Sequence, residues 1–124
     1  MPTGTNFVLT NGGTGGTNAS TARSGLGLKC DQLWSGTFTS GTISFSASAY
    51  DFLMVVGRPA SSAGTEGFYV PIGDLTGTNA LWQFNDESSY FEFYIKISSG
   101  TVTFTYEATS SGRIYKVYGV KIGA

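Results

Sequence analysis

Large apolar residues alternate with polar ones over several short stretches of the chain, and glycine, serine or asparagine separates the stretches. The clearest is Tyr90 to Ile97. Phe91, Phe93, Ile95 and Ile97 fall on one side, and Tyr90, Glu92, Tyr94 and Lys96 on the other. Thr101 to Glu107 repeats the pattern, with Val102, Phe104 and Tyr106 opposite Thr101, Thr103, Thr105 and Glu107. A two-residue period marks a strand with one buried face, because successive strand side chains point to opposite sides. Shorter runs follow the same rule: Gly36 to Thr39 and Gly41 to Ser46, with a hairpin-like break at Ser40-Gly41, and Ala80 to Phe84. In Phe68 to Ile72, Pro71 points to an edge strand or a strand end. Tyr50 to Val56 is almost continuously apolar, the pattern of a strand buried on both faces. The last strand, Ile114 to about Ile122, carries Tyr115, Val117, Tyr118 and Val120 on its two sides. A surface sheet keeps one side polar, so this second apolar side predicts an outer face covered by another subunit. Roughly seven to eight short strands with turns at these spacings predict an all-β fold: an antiparallel β-sandwich, jelly-roll-like.

The pattern changes before residue 33. Phe7-Val8-Leu9 reads as one short strand, and Thr10 to Thr17 is a glycine-rich stretch too permissive to pack a core. Asn18 is placed to cap a helix, Ala19 and Ala22 favour one, and Gly25 reads as its stop. One or two helical turns are not stable alone, so this segment needs a neighbour. The expected division is a glycine-rich N-terminal arm with one small helix over residues 1–33 and a sandwich over 34–124.

Composition narrows the chemistry. At 124 residues the chain makes one domain. Seven Lys and Arg against eight Asp and Glu leave a net charge of −1, which argues against nucleic acid or an acidic membrane as a partner. Charged residues at 12% and aromatics at 15% are the reverse of a disordered composition. The chain has no histidine and one cysteine, Cys30. Histidine-dependent nucleophilic sites, histidine metal sites, cysteine zinc clusters and an internal disulfide are thereby excluded. No catalytic residue, cofactor or metal is therefore expected. Phe52 to Val56 is too short to span a bilayer, and Met1 to Gly4 has no secretion-signal pattern. No membrane insertion is expected, and synthesis is expected in a reducing compartment.

Several residues invite a functional reading. Gly12 to Thr17 resembles a phosphate loop only in glycine content, since no lysine follows before Lys29. Asp86 and Glu87 occupy a turn beside Trp82, Phe84 and Tyr90. Adjacent turn carboxylates diverge, which makes a poor glycosidase pair or calcium site. A solvated turn is the simplest reading, and contact with a carbohydrate the functional one. Asp51, at the start of an apolar strand, reads as a turn or capping carboxylate. Arg58 and Glu66 bracket a loop rich in small residues. The candidate ligand-contacting residues are Arg58, Glu66, Trp82, Asp86, Glu87 and Tyr90.

The run from Asn11 to Leu28 (Asn-Gly-Gly-Thr-Gly-Gly-Thr-Asn-Ala-Ser-Thr-Ala-Arg-Ser-Gly-Leu-Gly-Leu) resembles a shaft element of bacteriophage tail fibres. Ser40 to Phe45, Tyr50 to Val56 and Arg113 to Ile122 are similar, in that order, to segments of phage tip domains. Residues 58–89 fall outside the resemblance and are where a binding specificity would vary. The resemblance implies a non-enzymatic virion component. It would be a tail-fibre tip domain, made in the host cytoplasm, homotrimeric, joined to other phage tail proteins, and attaching to host lipopolysaccharide or an outer-membrane protein. The alternative is a virion assembly or decoration protein that contacts no receptor. A polysaccharide-trimming enzyme fits least, because such tailspikes use long β-solenoids.

Overall fold

The computed structural model describes residues 17–109 and 111–123. The strand expected at Phe7-Leu9 and most of the glycine-rich stretch lie outside the described residues. From Ala19 on, the order is α1 (Ala19–Gly25), β1 (Leu28–Phe38), β2 (Thr42–Ser46), β3 (Phe52–Arg58), β4 (Glu66–Pro71), α2 (Ile72–Leu75), β5 (Asn79–Asn85), β6 (Tyr90–Ser98), β7 (Thr101–Thr109) and β8 (Arg113–Ile122). The strands form two four-stranded sheets, ordered β1-β8-β3-β4 and β2-β7-β6-β5, with every strand pair antiparallel. The protein is an all-β sandwich. Its outer strands pair in a nested way, β1 with β8 and β2 with β7, whereas β3–β4 and β5–β6 are hairpins of sequence neighbours.

The alternating runs place the core. Phe91, Phe93, Ile95 and Ile97 of β6 and Val102 and Phe104 of β7 are fully buried against Leu53, Val55, Val70, Ile114 and Val117 of the facing sheet. Burying each such side chain contributes about 1.5–3 kcal/mol. Phe93 is the hub, within 5.2–6.1 Å of the Phe68, Phe84, Phe91 and Phe104 rings.

Three expectations are revised. β1 begins at Leu28, so the boundary expected at residue 33 falls inside a strand that pairs with β8 along its length. Its two register shifts, between Gln32 and Trp34 and between Ser35 and Phe38, break the two-residue period that would have revealed it. Gly25 is the last residue of α1 and not its stop: Leu26 is the C-cap and Gly27, at φ +76°, leaves the helix. The N-terminus is as expected. Asn18 Oδ1 accepts from Thr21 N at 3.0 Å while Thr21 Oγ1 accepts from Asn18 N at 3.2 Å, a reciprocal capping box. Finally, β3 is fully buried only on its inner side. Leu53 and Val55 are buried, and Phe52, Met54 and Val56 on the outer side are half-buried.

Candidate binding surface at the loop end

Strand direction sorts the connections to two ends. The 39–41 and 59–65 loops, the 86–89 turn and the segment around Ser111-Gly112 gather at one end, where Phe38 and Gly57 both flank Ile114 and Asn85 pairs with Tyr90. α1, the first residues of β1, the last of β8 and α2 lie at the other, where Leu28 pairs with Ile122 and Phe52 with both Val120 and Pro71.

The loop end brings together five of the six candidate residues. Asp86 Oδ1 accepts from Ser88 N at 3.0 Å and Ser89 N at 2.8 Å, so this carboxylate builds its own turn. That bonding holds Glu87 exposed at the turn and Tyr90, 40% exposed, beside it. Glu66 is exposed at the start of the edge strand β4. Arg58 donates through Nε to Thr65 Oγ1 at 3.3 Å and reaches Ser61 O with Nη1 at 3.5 Å. Its guanidinium carbon lies 5.2 Å from the centre of the Tyr115 ring.

Trp82 is not on this surface. It pairs with buried Phe93 and stacks on Phe68, centroids 4.9 Å apart and planes 8° apart, which makes it a half-buried margin of the core. The β5 alternation decides this: Ala80, Trp82 and Phe84 turn inward and Leu81, Gln83 and Asn85 outward. The outward side carries a network the sequence reading missed. Asn85 Nδ2 donates to Gln83 Oε1 at 2.8 Å, and Gln83 Nε2 donates to Glu92 Oε1 at 2.7 Å. Cross-strand pairing of residues 83 and 92 was the signal, legible only once the 86–89 turn had fixed the register.

Two further residues join Arg58. Arg113 pairs with it directly across β3 and β8, and Tyr115 is the extra residue where β8 bulges between Ile114 and Lys116. Arg113 Nη2 reaches Ser111 O at 3.4 Å, and Ser61 N donates to Ser111 Oγ at 3.3 Å. The two arginines are thus tethered to two loops that are themselves tied together. Arg113 Nε is buried without a hydrogen-bond partner.

The two sheet exteriors differ in chemistry. On the outside of β2 and β7, Thr42, Ser44 and Ser46 face Thr105, Thr103 and Thr101, with Ser44 and Thr103 hydroxyls 3.0 Å apart. On the outside of the other sheet, Leu28 faces Ile122, Cys30 faces Val120, and Met54 lies between Tyr69 and Tyr118. Tyr69 and Ile122 are 60% and 62% exposed, and with Phe52 and Val120 they line a shallow apolar groove. Beside it, Tyr50 Oη donates to Asp31 Oδ2 at 2.6 Å, and this bond to a carboxylate, with some burial, raises the phenol above its usual pKa.

No group of three or more His, Cys, Asp or Glu that could hold a metal occurs among the described residues. No helix among them is long and apolar enough to cross a membrane. The chain matches no family model, no curated protein and no solved structure.

Proposed function

We propose that this protein is the tip domain of a bacteriophage tail fibre, a homotrimeric virion component that attaches to lipopolysaccharide or an outer-membrane protein of the host. The observation that carries the reading is the polarity of the sandwich. α1, which belongs to the shaft-like sequence, lies at one end, and the loops bearing Arg58, Glu66, Asp86, Glu87 and Tyr90 lie at the other. An attachment domain needs this separation, because its mount and its contact surface work at the same time. The apolar exterior of the β1-β8-β3-β4 sheet fits packing against sister copies. Three copies on each fibre let weak sites act together through avidity. Nothing in this reading requires catalysis or a cofactor.

The test is binding of the fluorescently labelled full chain to a panel of intact Gram-negative bacteria. Binding to some strains, displaced by their extracted lipopolysaccharide or lost with one outer-membrane protein, is the expected result. Binding to phage particles alone would make the protein an assembly or decoration component and overturn attachment.

A further inference from the structure

We propose that Arg58 and Arg113 together form a site for an oxyanion, a phosphate or carboxylate group borne on a surface sugar. The site itself stands on its own geometry; that the sugar belongs to a bacterial surface rests on the attachment reading above. Like charges directly opposite on neighbouring strands repel, and here two guanidiniums share one cross-strand position. No ion pair with a carboxylate relieves them among the described residues; their bonds go to Thr65 Oγ1 and to the carbonyls of Ser61 and Ser111. Those neutral contacts, two of them at 3.4–3.5 Å, orient the guanidiniums without neutralising them. The Ser61–Ser111 hydrogen bond ties the two anchoring loops to each other. Arg113 Nε, shut away from water with no acceptor, is a donor the folded chain leaves unused. The Tyr115 ring lies against the Arg58 guanidinium, and with Nε and Nη1 turned to Thr65 and Ser61, Nη2 is the Arg58 nitrogen left for a ligand.

An oxyanion answers the paired charge through the guanidinium nitrogens that solvent reaches; the buried Arg113 Nε is not one of them. It accepts from two guanidiniums at once, offsets their repulsion and supplies charge-assisted bonds to planar forks. Exposed Lys116, three residues beyond Arg113 on β8, adds positive field. The cluster is a local spot on a chain of net charge −1 and not a basic track, which suits a charged sugar and not a nucleic-acid backbone.

The experiment follows the arginine Nε–Hε signals of the labelled full chain by NMR while glucose 1-phosphate, glucuronate or methyl glucoside is added. The two charged sugars should move the Arg58 and Arg113 signals with dissociation constants of about 1 mM, and the neutral glucoside should not. The relative response to phosphate and carboxylate then identifies which group the site prefers. The paired substitution Arg58→Gln and Arg113→Gln should weaken binding at least about tenfold. Should that variant not fold, the shifts in the unaltered protein decide the matter. Absence of shifts, equal shifts with the glucoside, or shifts confined to other residues would overturn the site. The same variant separates this claim from attachment. If it binds cells as well as the original, the assignment of the site to a bacterial-surface sugar is wrong and attachment stands. If the charged sugars bind but no cell does, attachment is wrong and the site stands.

Discussion

At the scale of single residues, the Tyr50–Asp31 bond is the best-defined electrostatic feature of the end that carries α1. It links the connection before β3 to β1, and the Tyr50 ring lies over Gly119, where an added Cβ would meet Tyr50 Cγ at 2.6 Å. The phenol is held protonated by a carboxylate acceptor, so the folded state keeps its proton to higher pH than the unfolded chain. Its contribution is complete below the ordinary phenol pKa and is lost as pH climbs through the raised value. Tyr50→Phe should therefore cost about 1 kcal/mol near neutrality, discounted for solvent exposure, and the gap from the original should shrink in alkali. Urea unfolding followed from pH 7 to 11 measures both; a gap constant with pH would rule out the linkage. The same scale separates the candidate site residues. Arg58, Asp86 and Glu87 were visible from their loops because loop composition is a local signal. Trp82 was misplaced because a tryptophan near a turn looks exposed until its strand partner is known, and Phe93 turns it inward. Arg113 and Tyr115 gave no sign, since they approach Arg58 only through pairing between strands 55 residues apart in the chain, 113 minus 58.

At the scale of elements, one bulge shapes the candidate site. The register of β3 against β8 shifts between Val56 and Gly57, which expels Tyr115 from the ladder and sets it beneath Arg58. Gly57 makes this possible. A Cβ there would collide with the carbonyl oxygen of Arg113 and come within 2.8 Å of the Phe84 ring. Backbone on one side and a core aromatic on the other cannot both give way. Gly57→Ala should lower stability by about 2 kcal/mol and the melting temperature by about 10 °C. It should also shift the Arg58 and Arg113 NMR signals, because the bulge carries their geometry. A calorimetric scan in which the variant melts with the original would show that the strands repack freely. β1 was the hardest element to read for a related reason. Edge pairing to β8 holds it in place while its register slips twice, so its apolar residues follow no fixed period.

At the scale of the whole molecule, the β2–β7 half of one sheet is faced with serine and threonine, whereas the exterior of the other sheet carries leucine, valine, isoleucine and tyrosine. Water satisfies the first exterior. The second leaves Tyr69 and Ile122 more than half exposed beside Val120 and Phe52, an arrangement monomeric sandwiches avoid. Packing between copies is the proposed cover, with three copies of 13.1 kDa in the native particle. Light scattering on the purified chain should return that mass. Tyr69→Glu combined with Val120→Glu should reduce it to a single copy while changing thermal stability of the separated sandwich little, since neither side chain is part of the core. A single-copy mass for the unaltered chain would remove the trimer.

The sequence by itself determined the fold class, the β6 and β7 faces, the α1 cap and the apolar exterior of β8. Each depends on spacing within one short segment, and spacing is a local property that strand and helix geometry impose directly. Only the tertiary structure decided which strands are neighbours, that β1 reaches back to Leu28, that Trp82 faces inward, and that Arg58 meets Arg113. Those outcomes follow from register and bulges between segments distant in the chain. Many pairings satisfy the same alternation, and the burial of one shared aromatic core selects among them.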